Sequence, residues 1–112
     1  MTRAIDNVQP CTTMQDVRRH IDALDDVLVP LLVQRGGYMT QAARIKQSDA
    51  QVRDEERIEA IVARVRARTE VEGGPPEVLE AIYRSMMEAY IAYEHREFAR
   101  LRGLATPPES AP

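Results

Sequence analysis

In "QRGGYMTQAARIK", residues 34 to 46, Arg35 and Lys46 stand eleven residues apart. On an α-helix that spacing returns them to within about 20° of one another, about 16 Å apart along the axis. Side chains of that length can lean together over one small anion. Arg18 precedes Arg35 by 17 residues, about 25 Å along the same helix and about 100° round it. It is too far away to share a small ligand with Arg35 of its own chain, so any such site it serves belongs to a partner chain. Glu94 lies four residues after Tyr90 and four before Phe98, within an apolar stripe where leucine would be the ordinary choice. Desolvation there disfavours an ionised carboxyl, so Glu94 is expected to hold a proton more readily. Arg57 sits beside Ile58, where it can point to the same interior.

Each of these residues also has a plain structural reading. Arg35 and Lys46 can snorkel from a stripe edge to water, Arg57 can pair with Glu55 or Asp54, and Glu94 can sit in an internal ion pair. Taken together they favour a buried anion pocket, because uncompensated charges in a core are costly.

The elements that must position these groups are helices. Hydrophobic residues make up 44% of the 112, yet there are only four Tyr, one Phe and no Trp, so the core of this single domain is aliphatic. No segment alternates like a strand. The first helix is expected over about 13–46, with Thr12 or Thr13 as cap, Asp16 at its positive end and the stripe Val17, Ile21, Leu24, Leu28 and Leu31. Pro30 removes one backbone hydrogen bond and crowds the preceding turn. Because the stripe keeps its phase across Pro30, a kink is expected rather than a split.

The second helix starts with Asp54 as cap, turns Ile58, Ile61, Val62 and Val65 inward and stops at Gly73–Gly74. The third begins at Pro75 or Pro76 and carries Leu79, Ile82, Tyr83, Met86, Met87, Tyr90, Ile91, Phe98 and Leu101 at helical spacing. Residues 1–12 and 103–112 read as poorly ordered ends around a helical domain over 13–102. An unkinked first helix of about 33 residues is about 50 Å long, whereas a compact monomer of this size is about 26 Å across. The helix therefore overhangs its own domain, which implies an intertwined homodimer that covers its apolar residues.

Composition narrows the function classes. A net charge of −3 argues against nucleic acid as partner. "RVRAR" at 64 to 68 reads as a solvated face, given the acids around it. There is no apolar run long enough for a membrane helix and no secretory apolar segment after the first Met, so a cytoplasmic protein is expected. Cys11 is alone and reads as a passive thiol. His20 and His95 lack metal-ligand spacing and read as surface residues, so no metal site is expected.

As a set, R-x-x-I-D-x-L-D at 18–25, Arg35 ten residues on, Lys46 eleven further and V-R-D-x-x-R at 52–57 resemble the all-helical chorismate mutases and the related isochorismate pyruvate lyases. The resemblance extends through "YRSMMEAYIAYEHREF" and covers nearly all of residues 14 to 102. It implies an all-α intertwined homodimer with two active sites, each borrowing Arg18 from the opposite chain. Arg18 of that chain and Arg35 would bind the two carboxylates of a small dicarboxylate substrate, and Arg57 would line the pocket. Lys46 would bind a carboxylate and the ether oxygen, and the reaction would proceed without a metal, an organic cofactor or a covalent intermediate.

Three positions bear on which reaction the resemblance implies. Glu94 stands where many members carry a glutamine that donates to the ether oxygen, and a glutamate donates only when protonated. Ile58 replaces a glutamate that holds the ring hydroxyl of chorismate in typical mutases, a departure toward the lyases. Asp54, capping the second helix near the substrate, points back to the mutases, while Tyr90 replaces a small polar residue of some of them. The implied activity is chorismate mutase, with isochorismate pyruvate lyase as the alternative; a catalytically silent helical dimer is the reading outside enzymes.

Overall fold

The computed structural model describes residues 7–104, and the expected unstructured ends lie partly outside them, at residues 1–6 and 105–112. Among the described residues the chain is all-α: α1 (Met14–Ile45), a short 3-10 helix (Asp49–Gln51), α2 (Glu55–Val71) and α3 (Pro76–Leu101), with no strand. It divides into two units at Gly36 and Gly37.

In the first unit, the Thr13 hydroxyl accepts from the Asp16 backbone N–H at 3.0 Å, the expected cap. The helix runs unbroken through Pro30, so there is no split there. Among the described residues the expected apolar stripe stays partly open: Ile21, Leu24, Leu28 and Leu31 are each about half exposed.

The second unit, from Gly37 onward, carries the core. Ile58 and Val62 of α2 pack with Met87 of α3, flanked by Ile61, Tyr83 and Ile91. Ion pairs fix the direction of the two helices: Arg53 meets Glu88, Arg84 meets Glu59, and Arg66 meets Glu80. Residue numbers falling on one helix as they rise on the other define an antiparallel pair. Asp54 caps α2 as expected, its Oδ1 accepting from the Arg57 N–H at 3.0 Å.

At the other end of α2, Gly74 N–H reaches Thr69 O at 2.9 Å and Gly73 N–H reaches Glu70 O at 3.0 Å. This Schellman arrangement requires Gly73 at φ +79°, a conformation in which a side chain would be strained. Pro76 then opens α3 at a position that needs no backbone donor. Two expected inward residues of α3, Ile82 and Leu101, are exposed instead.

The last turns of α1, residues 37–45, lie against the C-terminal half of α3, with Ala43 fully buried. A polar cluster sits in this contact. Glu97, which is buried, accepts from Thr40 Oγ1 at 2.9 Å and from two guanidinium nitrogens of Arg100 at 2.7 and 2.9 Å. Chiefly the hydrogen bond from Arg100, and then that from Thr40, pull the Glu97 carboxyl from its ordinary 4.5 to about 2, against the opposing effect of burial.

A carboxyl whose folded value lies below its unfolded one contributes stability above the unfolded value, and loses it as pH falls through the folded one. The Glu97 contribution is therefore complete above about 4.5 and disappears between about 4.5 and about 2. Urea unfolding across that window should show a steeper acid decline for the wild-type chain than for Glu97→Gln. Equal slopes would contradict the assignment.

Candidate active site at the end of the first helix

Lys46 follows the last residue of α1, and its N–H still closes a helical turn onto Ala42 O at 2.9 Å. It is the sole lysine among 112 residues. From there its Nζ donates to Glu94 Oε2 at 2.7 Å and to the carbonyl of Val52 at 3.4 Å. Glu94 comes from the middle of α3 and is 3% exposed, so a cation and a carboxyl from two helices meet in a largely desolvated spot. Of the alternatives open from sequence for Glu94, the internal ion pair is the one realised, and its partner is the lysine already singled out. A buried ion pair carries a desolvation cost and is weak evidence for stability, which leaves chemistry as the reason to ask what it does.

The floor on which Lys46 rests is built by the 3-10 helix and its exit. The Gln51 side chain accepts from the Gln47 and Ser48 N–H groups at 2.7 and 3.3 Å, closing the loop after α1. Val52 turns its side chain into the core at 4% exposure and its carbonyl to Lys46. His95, next to Glu94 on α3, holds the same loop through Asp49 at 2.7 Å. The expectation that His95 is a plain surface residue is thereby corrected: it is partly buried and bonded, because the loop folds back over α3.

An open surface depression lies beside Lys46, lined by Lys46, Gln51, Arg53, Asp54 and Glu55 among others, and Glu94 is not part of its wall. Arg53 crosses from its rim to α3 and grips Glu88 with two nitrogens, at 3.0 and 2.7 Å.

The structure thus brings together Lys46 and Glu94, and joins Asp54 to Arg57 through the α2 cap. The Arg57 side chain is exposed in the first turn of α2, and Tyr90 is partly buried one turn before Glu94 on α3. Arg18, exposed, and Arg35, partly buried, belong to the first unit. Among the described residues no group of three or more His, Cys, Asp or Glu side chains could hold a metal ion, and no helix is long and apolar enough to cross a membrane. Cys11 is a free, exposed thiol.

Sequence reasoning missed the Thr40–Glu97–Arg100 cluster. The signal was present in the spacing of Glu94 and Glu97, three apart and so on one helix face. With both carboxylates buried, that face of α3 is a polar seam rather than an apolar stripe.

Residues 17–95 match the chorismate mutase type II family, and the chain belongs to that family. It is also similar to the isochorismate pyruvate lyase of Pseudomonas aeruginosa, at 29% identity over 97 residues that cover 87% of this chain and 96% of that one. Arg18, Arg35, Lys46, Asp54, Arg57, Tyr90 and Glu94 all lie inside the matched range.

Proposed function

We propose that the chain is a chorismate mutase acting as a homodimer, converting chorismate to prephenate by holding one conformer and stabilising the charge that develops as its C–O bond breaks. The observation that carries this reading is the Lys46–Glu94 pair, 2.7 Å apart, with Glu94 buried and Lys46 at the edge of an open surface depression.

The substrate's enolpyruvyl arm must fold over its ring before the new C–C bond can form. Arg35 and Arg18 of the partner subunit, each taking one carboxylate, select that folded conformer and convert a rare geometry into the bound one. Negative charge then grows on the ether oxygen. Lys46 meets it with a donor already in place, which favours the transition state over the ground state, and Glu94 can add a second donor only in its protonated form. With substrate absent, Lys46 donates to Glu94 itself, so the two groups compensate each other until the ether oxygen arrives. Arg57 lines the pocket from α2, Asp54 fixes that helix's start, and Tyr90 closes the wall beside Glu94. The homodimer is supported by the half-exposed stripe of α1, which needs a covering surface about as long as the helix.

Elimination of pyruvate from isochorismate is the second reading, favoured by two observations. Ile58 is buried in the α2–α3 core, so no carboxylate stands there for the ring hydroxyl of chorismate, and the similar Pseudomonas aeruginosa protein is a lyase. The same cations would assist that C–O cleavage.

Purified protein assayed with each substrate decides between them. The mutase reading expects the larger kcat/KM with chorismate and prephenate as product. A larger value with isochorismate, giving salicylate and pyruvate, replaces it with the lyase reading. Turnover of neither substrate overturns both and leaves a silent helical dimer.

A further inference from the structure

The C-cap of α3 lies outside the range matched by the family, yet its side chain reaches the active-site lysine. Arg102 ends the helix in a Schellman turn, with Leu104 N–H on Ala99 O at 2.8 Å and Gly103 N–H on Arg100 O at 3.2 Å. Gly103 takes φ +68° to permit it. This turn directs the Arg102 guanidinium over the ring of Phe98, 3.6 Å from the centroid, and onto the end of α1.

Among the described residues its partners there are carbonyls. Nη1 donates to Ala43 O at 3.0 Å and to Phe98 O at 3.3 Å, while Nη2 donates to Lys46 O at 2.6 Å and to Arg44 O at 3.5 Å. The last carbonyls of a helix have no partner within it, and they form the negative end of its dipole. A planar cation with donors in a fixed fork suits that end better than any other side chain.

We propose that Arg102 is a positioning residue for Lys46. Resting on the functional reading above, it fixes the backbone from which the lysine reaches Glu94 and the substrate. Lys46 is the first residue after the helix, where the chain would otherwise fray, and the shortest of the four guanidinium contacts, at 2.6 Å, is the one on its carbonyl. Small displacements of a group that must meet a developing charge cost rate out of proportion to their size, up to about a hundredfold per Å.

Two measurements test this. In the first, Arg102→Ala and Arg102→Lys are made alone and on a Lys46→Met background. Acting through Lys46, Arg102→Ala should lower kcat by about tenfold or more with a smaller change in KM. Arg102→Lys should recover only part of the loss, since one ammonium cannot span the carbonyls. On the Lys46→Met background the same change should cost almost nothing further. A loss of equal size on both backgrounds overturns the proposal, because it would show a general effect on the fold.

The second measurement needs no turnover. Protein labelled with 13C-lysine gives one Cε signal, because the chain has one lysine. In the wild type the two Hε protons should be distinct, as in a held side chain. In Arg102→Ala they should merge, while the signals of the α2–α3 core stay in place. An unchanged Lys46 signal in Arg102→Ala overturns the proposal. A protein inert toward both substrates whose Lys46 signal still responds to Arg102 would overturn the functional reading alone.

Discussion

On the proposed mechanism Lys46→Met should lower kcat/KM by about a hundredfold or more, most of it in kcat, because the lysine would be the donor that meets charge present only in the transition state. Loss of one such preorganised donor costs roughly 3 kcal/mol. The same change removes the cation from beside Glu94, a side chain 3% exposed. A buried carboxylate left without its partner weakens the fold, so a drop in activity could be mistaken for unfolding.

Glu94→Gln separates the two effects. In the double variant the amide needs no cation, and the unfolding midpoint should return toward that of the wild type while the rate stays low. Glu94→Gln alone keeps a donor at the site. A Lys46→Met protein that is stable and retains more than about a third of its kcat, against the large loss expected for an electrostatic donor, would remove Lys46 from the chemistry.

The proposed carboxylate clamp carries the next largest expected effect. Arg35→Ala and Arg18→Ala should each lower kcat/KM by about two orders of magnitude, since a bidentate charge-assisted pair is lost and the substrate arm is freed to leave its reactive fold. Steady-state kinetics should show KM rising as well as kcat falling, unlike the Lys46 variant, because these contacts form with substrate and persist to the transition state. A change confined to KM would mean that the arginines bind substrate without selecting its conformer.

Much of this was legible in the sequence, for reasons that differ from element to element. Asp54 and Thr13 declared their helix starts because a short polar side chain ahead of an apolar period has one main use, and Gly73–Gly74 declared a stop because few other residues accept the backbone there. Lys46 and Glu94 were readable as charges on apolar stripes. That they would face each other was not, since they lie 48 residues apart and only tertiary packing sets that distance.

The 3-10 helix and the His95–Asp49 contact were invisible for the same reason. Arg102 was hidden differently: it closes the expected helical domain one residue beyond the last periodic position, where nothing in the pattern gives its side chain a partner. Ile82 and Leu101 show where periodicity misleads, for it reports that a face is apolar and not which molecule covers it.

The central claim is that cations of two chains complete one site. Arg18→Ala and Lys46→Met, each nearly inactive alone, are unfolded together at equal amounts, refolded and assayed. Random pairing makes half the dimers mixed, and each mixed dimer holds one intact site, so activity should return to about a quarter of the wild-type value. Activity no greater than the sum of the two separate variants, with mixed dimers shown to have formed, would contradict it.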